Sequence, residues 1–425
     1  MRHTAILLIS IALFANEAQG QQWTLDACVD AALHNNVELK NSRLESEMAA
    51  EDKAQAFTNY FPQLSATGAG FIGAKDLMRG EMEVPMMGAM PLSMVKKGVL
   101  ATLTALQPLY TGGQVIVGNK LAALQQEVRA LQLEMTAKDV QQNVATYFWR
   151  LVALRSNITT LDAVDSQLQE VYRQTEQYLQ AGVINRNELL RVQLKREEIS
   201  SERLRLQNGI ELVRMMLAQL CGADMATFDI IPGEIHSPQA PETYFLPADQ
   251  ALINREEVEL TERSQRASEL QVKMQRGKLL PSVAIGASGV YYNMTEKNQG
   301  NLVGLATVSI PISEWWGGSH AIRKAQMAAQ QSRNTLQDVR QKLQIDILSA
   351  WNNLREAYAQ IQIAQRSTEQ ADENLRLSRN QYDAGTLSLT DLLDAVTLYT
   401  QSHSRLDTAC ADYQARIAEY LRKTR

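Results

Sequence analysis

The sequence predicts a mainly α protein with a transmembrane β part, built as a tandem repeat. Three observations carry this. The ten prolines of the 425-residue chain leave residues 109–231 and 312–425 without any. These two stretches are rich in Ala, Leu, Gln, Glu and Arg, which suits very long helices. Pro108 and Pro311, Ala181-Gly182 and Ala384-Gly385, and Leu189-Leu190 and Leu392-Leu393 all recur at one offset of 203. Finally, four segments of about ten residues alternate with period two and have aromatic rings near their ends, the pattern of a tilted membrane strand.

From the N-terminus, Arg2 and His3 precede an apolar stretch, Ala5 to Ala15, followed by Ala18-Gln19-Gly20. Residues 1–20 therefore read as a signal peptide. The stretch is too short for a membrane-spanning helix, and no later stretch reaches the length one needs. Removing the leader takes one base (Arg2) and one acid (Glu17), so the net charge stays at −5. That balance excludes a sequence-independent nucleic-acid binder, which needs a basic excess. Cys28, Cys221 and Cys410 lack metal-ligand spacing. Leu25-Asp26-Ala27-Cys28 loosely echoes a lipoprotein box, but the acid and the distance from the apolar stretch speak against lipidation. Buried small hydrophobes are the first reading of the cysteines, and one disulfide in an oxidising compartment is the second.

The first repeat is placed at 21–221, the proline-rich linker at 222–247 and the second repeat at 248–425. Each repeat reads as helix, two strands, long helix, sharp turn and returning helix. Ala32-Leu33-His34-Asn35 echoes Ala251-Leu252-Ile253-Asn254, and each segment runs on to a proline, Pro62 or Pro281. The strands follow. Leu64, Ala66, Gly68, Gly70 and Ile72, then Val99, Ala101, Leu103 and Ala105, alternate in the first repeat. Val283 to Tyr291 and Leu302 to Ile310 do so in the second. Tyr110, Trp315 and Trp316 are placed at the membrane–water interface, which such rings favour. Four strands cannot close a barrel and open edges do not survive in hydrocarbon, so several chains must share one barrel if these strands lie in a membrane. A soluble β-sandwich edge is the alternative on pattern alone.

The long helices carry a coiled-coil seam. Val140, Val144, Tyr147 or Phe148, Leu151, Leu154, Ile158 and Leu161 advance by threes and fours, as do Leu343, Ile347, Trp351, Leu354, Tyr358 and Ile361. Gln114 to Gln180 is a helix of roughly 100 Å. Gly385 reads as the glycine closing one helix, with Ser388 or Thr390 able to cap the next.

The repeated Pro-Leu-Tyr-Thr-Gly-Gly-Gln motif from Pro108, the turn Tyr382-Asp383-Ala384-Gly385-Thr386 and Thr390-Asp391-Leu392-Leu393-Asp394-Ala395 resemble the TolC family of outer-membrane efflux proteins. The resemblance runs from Leu25 to about Leu421. It implies a homotrimer in outer-membrane lipid, with four strands per chain completing a twelve-stranded β-barrel and an α-barrel crossing the periplasm. Its partners would be a periplasmic adaptor protein and an inner-membrane pump. It further implies that the turns at Ala181-Gly182 and Ala384-Gly385 form the adaptor-contacting periplasmic tip. Asp391 and Asp394 would ring the aperture there, with Glu188 and Tyr382 in the links that hold it closed. The basic residue often used in those links is absent, since Leu387 stands in its place. Ordinary first-turn acids favoured by the helix dipole are the alternative for both aspartates.

No enzyme signature accompanies this pattern. The histidines (3, 34, 236, 320 and 403) are scattered, no HExxH or CxxC occurs, and the glycine pairs lack the context of a phosphate loop. Neither a catalytic function nor a cofactor is expected. Met78, Met82, Met86, Met87, Met90 and Met94 crowd one loop. It reads as an apolar extracellular loop, with soft-metal binding as the alternative. The expected function is a passive exit duct of a tripartite efflux or type I secretion system. The rival is a periplasmic coiled-coil scaffold or adaptor.

Overall fold

The computed structural model describes residues 22–74, 79–84, 88–93, 97–233, 235, 238–293 and 298–425. The leader at 1–20, His236 and four of the six loop methionines (Met78, Met86, Met87 and Met94) lie outside them. In chain order the first elements are β1 (Gln22–Trp23), α1 (Leu25–Asn35), α2 (Val37–Thr58), β2 (Gln63–Ile72), β3 (Arg79–Val84), β4 (Gly88–Ser93) and β5 (Lys97–Thr111). Then come α3 (Gln114–Gln180), α4 (Arg186–Cys221), β6 (Asp229–Ile230), α5 (Ala248–Ala251) and α6 (Glu256–Gly277). The chain ends with β7 (Ser282–Asn293), β8 (Asn298–Ser309), α7 (Glu314–Asp383) and α8 (Leu389–Thr424). Two compact units result, and each draws on both halves of the sequence. One holds the residues up to 44, 131–259 and 339–425; the other holds 45–130 and 260–338.

The duplication is visible in element lengths. Helices α4 and α8 each have 36 residues and stand 203 apart throughout. Helices α2 and α6 each have 22, but the prolines that follow them, Pro62 and Pro281, are 219 apart. The offset shrinks across the strands because β3 and β4 form an additional antiparallel hairpin between β2 and β5. The pattern of that loop, broken by Pro85 and Pro91, had not predicted a hairpin.

The helical unit buries the expected seam. Val144, Leu151 and Leu354 have no exposed surface, and Phe148, Ile347 and Ile361 are 1% exposed. Leu154 and Ile158 are half-buried. The helix expected before the first strand is in fact two, since Asn36 interrupts it. Its Oδ1 accepts from the N–H of Glu38 and Leu39 at 2.9 and 3.2 Å, so a side chain starts α2. The linker between the repeats packs on α8 through two tyrosines one heptad apart. Tyr413 donates to the Gln239 carbonyl at 2.6 Å and Tyr420 to the Leu246 carbonyl at 3.1 Å. No helix among the described residues is long and apolar enough to cross a membrane.

Candidate functional site

The residues expected to act fall in two places, and each lies within one unit. The first is a four-stranded antiparallel sheet of order β2-β5-β7-β8. Directly opposed residues share a face, so the register sorts the side chains. Leu64, Ala105, Ala287 and Gly304 stand in one row; Ala66, Leu103, Gly289 and Leu302 stand in the next. That face is apolar, with Leu64 75%, Leu302 81% and Val308 66% exposed. The other face carries Ser65 opposite Thr104, which in turn faces Ser288. The Thr104 and Ser288 hydroxyls are 2.9 Å apart. Strands β2 and β8 are the edges, each paired on one side within the chain.

Tyr110, Trp315, Trp316 and the Phe57 cluster lie at one end of this sheet, and Tyr291 and Tyr292 at the other. The strand β5 bulges between Pro108 and Tyr110, where a proline can be accommodated because it has no N–H to give the ladder. The extra residue brings Tyr110 opposite Val283, on the apolar face. Trp315 donates its indole N–H to the Leu279 carbonyl at 2.9 Å, and Trp316 is 81% exposed. Phe57 packs on Tyr60 and Phe61, both at 5.5 Å between centroids.

The second place is the pair of hairpin tips in the helical unit. Gly182 and Gly385 adopt left-handed φ of 73° and 72°. Around each, the same two bonds close the helix: Val183 N–H to the Tyr178 carbonyl at 3.0 Å and Gly182 N–H to Leu179 at 3.0 Å. In the second repeat these are Thr386 N–H to Gln381 and Gly385 N–H to Tyr382, both 2.9 Å. This is the Schellman closure, which uses glycine because a Cβ disfavours that φ. Ala181 and Ala384 precede the two glycines and are exposed. The returning helices are capped at matching positions, by Asn185 on the Asn187 N–H and by Ser388 on the Asp391 N–H.

Of the predicted aperture residues, Asp391 and Asp394 are both exposed in the first turns of α8. Asp391 also serves the cap, because the Ser388 hydroxyl donates to its Oδ2 at 2.7 Å. Glu188 is half-buried at the matching place in α4. Tyr382 is half-buried, and its hydroxyl lies 3.3 Å from that of the buried Thr175 on α3. Burial pushes its phenol up; the Glu188 charge acts in the same direction, while the Thr175 bond and Arg379 oppose it. Tyr382 thus ties α7 to α3 within one chain. Leu387 is half-buried and offers no cation. A cation does reach this turn from α4, where Arg191, a residue the sequence pattern did not single out, donates to Thr390 Oγ1 at 2.6 Å. The repeat offset was a usable signal, since Arg191 stands 203 before Asp394.

One further cross-helix group lies on α7 and α8. His403 Nε2 is 2.8 Å from Asp372 Oδ1, and the His403 ring packs on Tyr399 at 4.3 Å between centroids. Among the described residues, no group of three or more His, Cys, Asp or Glu is placed to hold a metal.

A sheet with one apolar face and a second that mixes Ser65, Thr104 and Ser288 with Leu100 and Leu106, together with long helical hairpins, defines the class: an outer-membrane channel protein. Residues 28–223 and 248–421 match the family described as outer membrane efflux protein, and the chain belongs to that family. Outer membrane efflux protein BepC of Brucella suis biovar 1 (strain 1330) is 24% identical over 365 residues, 84% of this chain and 75% of that one. Outer membrane protein TolC of Escherichia coli (strain K12) is 20% identical over 440 residues, 97% of this chain and 84% of that one. The Campylobacter jejuni CmeC outer membrane channel shares the fold, with a TM-score of 0.79 at 16% identity over 94% of this chain and 85% of that one.

Proposed function

We propose that three copies of the chain form a passive exit duct serving a periplasmic adaptor and an inner-membrane pump. The observation that carries this reading is the sheet. Its apolar face suits lipid, its Ser and Thr face suits a watery lumen, and edges β2 and β8 each leave a row of backbone groups for another chain. Three four-stranded sheets joined edge to edge give twelve strands and no free edge. The helical hairpins are then each chain's share of a periplasmic conduit. The turns at Ala181-Gly182 and Ala384-Gly385 are the adaptor-facing tip.

At that tip Asp391 and Asp394 narrow the pore, six carboxylates in all, which attract cations and resist full ionisation together. Glu188, Tyr382 and Arg191 belong to the links that hold the tip. Direction and energy come from the pump, since no nucleotide-binding motif is present in the chain. The test begins with carbonate-washed outer membranes and mild detergent, where a stable trimer is expected. Planar-bilayer recording should then show cation selectivity and divalent block that weaken when Asp391 and Asp394 are both replaced by Ala. A protein recovered from the soluble periplasm would support the scaffold instead, and unchanged selectivity would remove the aspartates from the aperture.

A further inference from the structure

We propose that Cys28 and Cys221 are joined by a disulfide in the exported protein, closing the first repeat upon itself. Cys28 lies in the first turn of α1 and Cys221 is the last residue of α4. Neither has any exposed surface, and both belong to one apolar core. The Cys221 Sγ lies 3.5 Å from the Cys28 carbonyl oxygen, a contact between residues 193 apart in sequence. The helices are pressed together on either side of the pair. Gly222 has a left-handed φ of 64°, and a Cβ there would lie 2.5 Å from Asn35 Cβ. The Asn36 side chain donates to the Leu220 carbonyl at 3.3 Å. The two thiols also sense each other directly: contact with Cys221, ahead of burial, pushes the Cys28 thiol up.

The third cysteine, Cys410, is buried in α8; burial and the Asp407 charge push its thiol up to about 11, and neither Cys28 nor Cys221 is among the groups acting on it.

Outer-membrane residence takes the chain through an oxidising compartment; the proposal rests on that and not on the gating of the tip. The step is thiol–disulfide exchange. One cysteine thiolate attacks a disulfide carried by a periplasmic thiol–disulfide oxidoreductase, and the second cysteine displaces the enzyme's sulfur from the mixed disulfide. One S–S bond forms in this chain as one breaks in the oxidoreductase, which leaves as a dithiol carrying the two electrons and two protons. Both sulfurs are sealed in the folded core, so the exchange precedes closure of that core, and the finished bond is shielded from reductants.

Thiol counting on the full chain tests this. Protein taken from outer membranes is denatured in maleimide without reductant and weighed by mass spectrometry. One adduct is expected, at Cys410, and three after dithiol reduction, with a non-reduced tryptic peptide linking Cys28 to Cys221. A C410S variant should give no adduct before reduction and two after it. A host lacking the oxidoreductase should yield three adducts at once. Three adducts from the normal host, or a bond involving Cys410, overturn the proposal.

Discussion

Tyr110 stands opposite Val283, on the apolar face of the sheet, although unbroken alternation along β5 would turn it to the face that carries Thr104 and Ser288. The bulge after Pro108 supplies the extra residue, Leu109, that rotates it. Deleting Leu109 should therefore return Tyr110 to the polar face and sharply lower the yield of folded protein in outer membranes. Leu109→Ala keeps the residue count and should be tolerated. Tyr110 is 46% exposed, so Tyr110→Ala should cost about 1 kcal/mol, part of the scale for a fully buried large apolar side chain. Urea unfolding from lipid vesicles measures all three.

Glycine substitutions should separate two costs. No atom lies within 4 Å of a Cβ built on Gly182 or Gly385. Gly182→Ala and Gly385→Ala therefore meet only the left-handed backbone penalty, roughly 1–2 kcal/mol each. At Gly112, with φ of 63°, a Cβ would also sit 2.1 Å from the Gly277 carbonyl oxygen. The Gly277 oxygen is backbone and cannot swing aside as a side chain would, so Gly112→Ala should be much worse and should block folding of the sheet unit. Thermal unfolding of the purified variants ranks them, and equal losses at all three sites would contradict this.

Acid should weaken the end of α8. Glu419 accepts from Lys423 at 2.9 Å and Arg416 at 2.6 Å, and Lys423 also reaches Asp346 at 2.8 Å. Burial alone would raise the Glu419 pKa, but the two cations outweigh it and hold the carboxyl below its ordinary value. A carboxyl depressed in the folded state adds stability that is fully present above its unfolded pKa, about 4.3. That stability is lost as pH falls through the folded value. Glu419→Gln should cost on the order of 1 kcal/mol at neutral pH. It should also flatten the loss of stability below about pH 5, seen in unfolding midpoints from pH 7 to pH 3.

Much of this architecture could be read from punctuation. The bounds of α3 follow from Gly113 and Gly182, and the match of α4 to α8 from the 203 offset. What escaped were features that a single side chain decides. Asn36 splits one predicted helix by offering its own oxygen as a cap. Leu109 reverses the facing of Tyr110, and no pattern of period two can foresee one inserted residue. At the tip, the cap was legible as Ser388 or Thr390 because caps act locally along the chain, and Ser388 takes the role. The pairings of Thr175 with Tyr382 and Arg191 with Thr390 join different helices, and only packing brings those residues together.

The two tip aspartates should separate under single substitution. Asp391 is bonded to Ser388 in the cap of α8, whereas Asp394 lies one turn further on and outside that cap. Ser388→Ala removes the acceptor for the Asp391 N–H and should cost about 1 kcal/mol. Asp391→Asn keeps an acceptor oxygen but loses the charge near the helix N-terminus, a cost of roughly 0.3–1 kcal/mol. Asp394→Asn should leave the thermal midpoint almost unchanged. If both carboxylates face the pore, each Asn variant lowers cation selectivity in bilayer recordings, and only Asp391→Asn also lowers stability. A selectivity change confined to the destabilised variants would mean that the recordings report fraying of α8, not loss of a carboxylate ring.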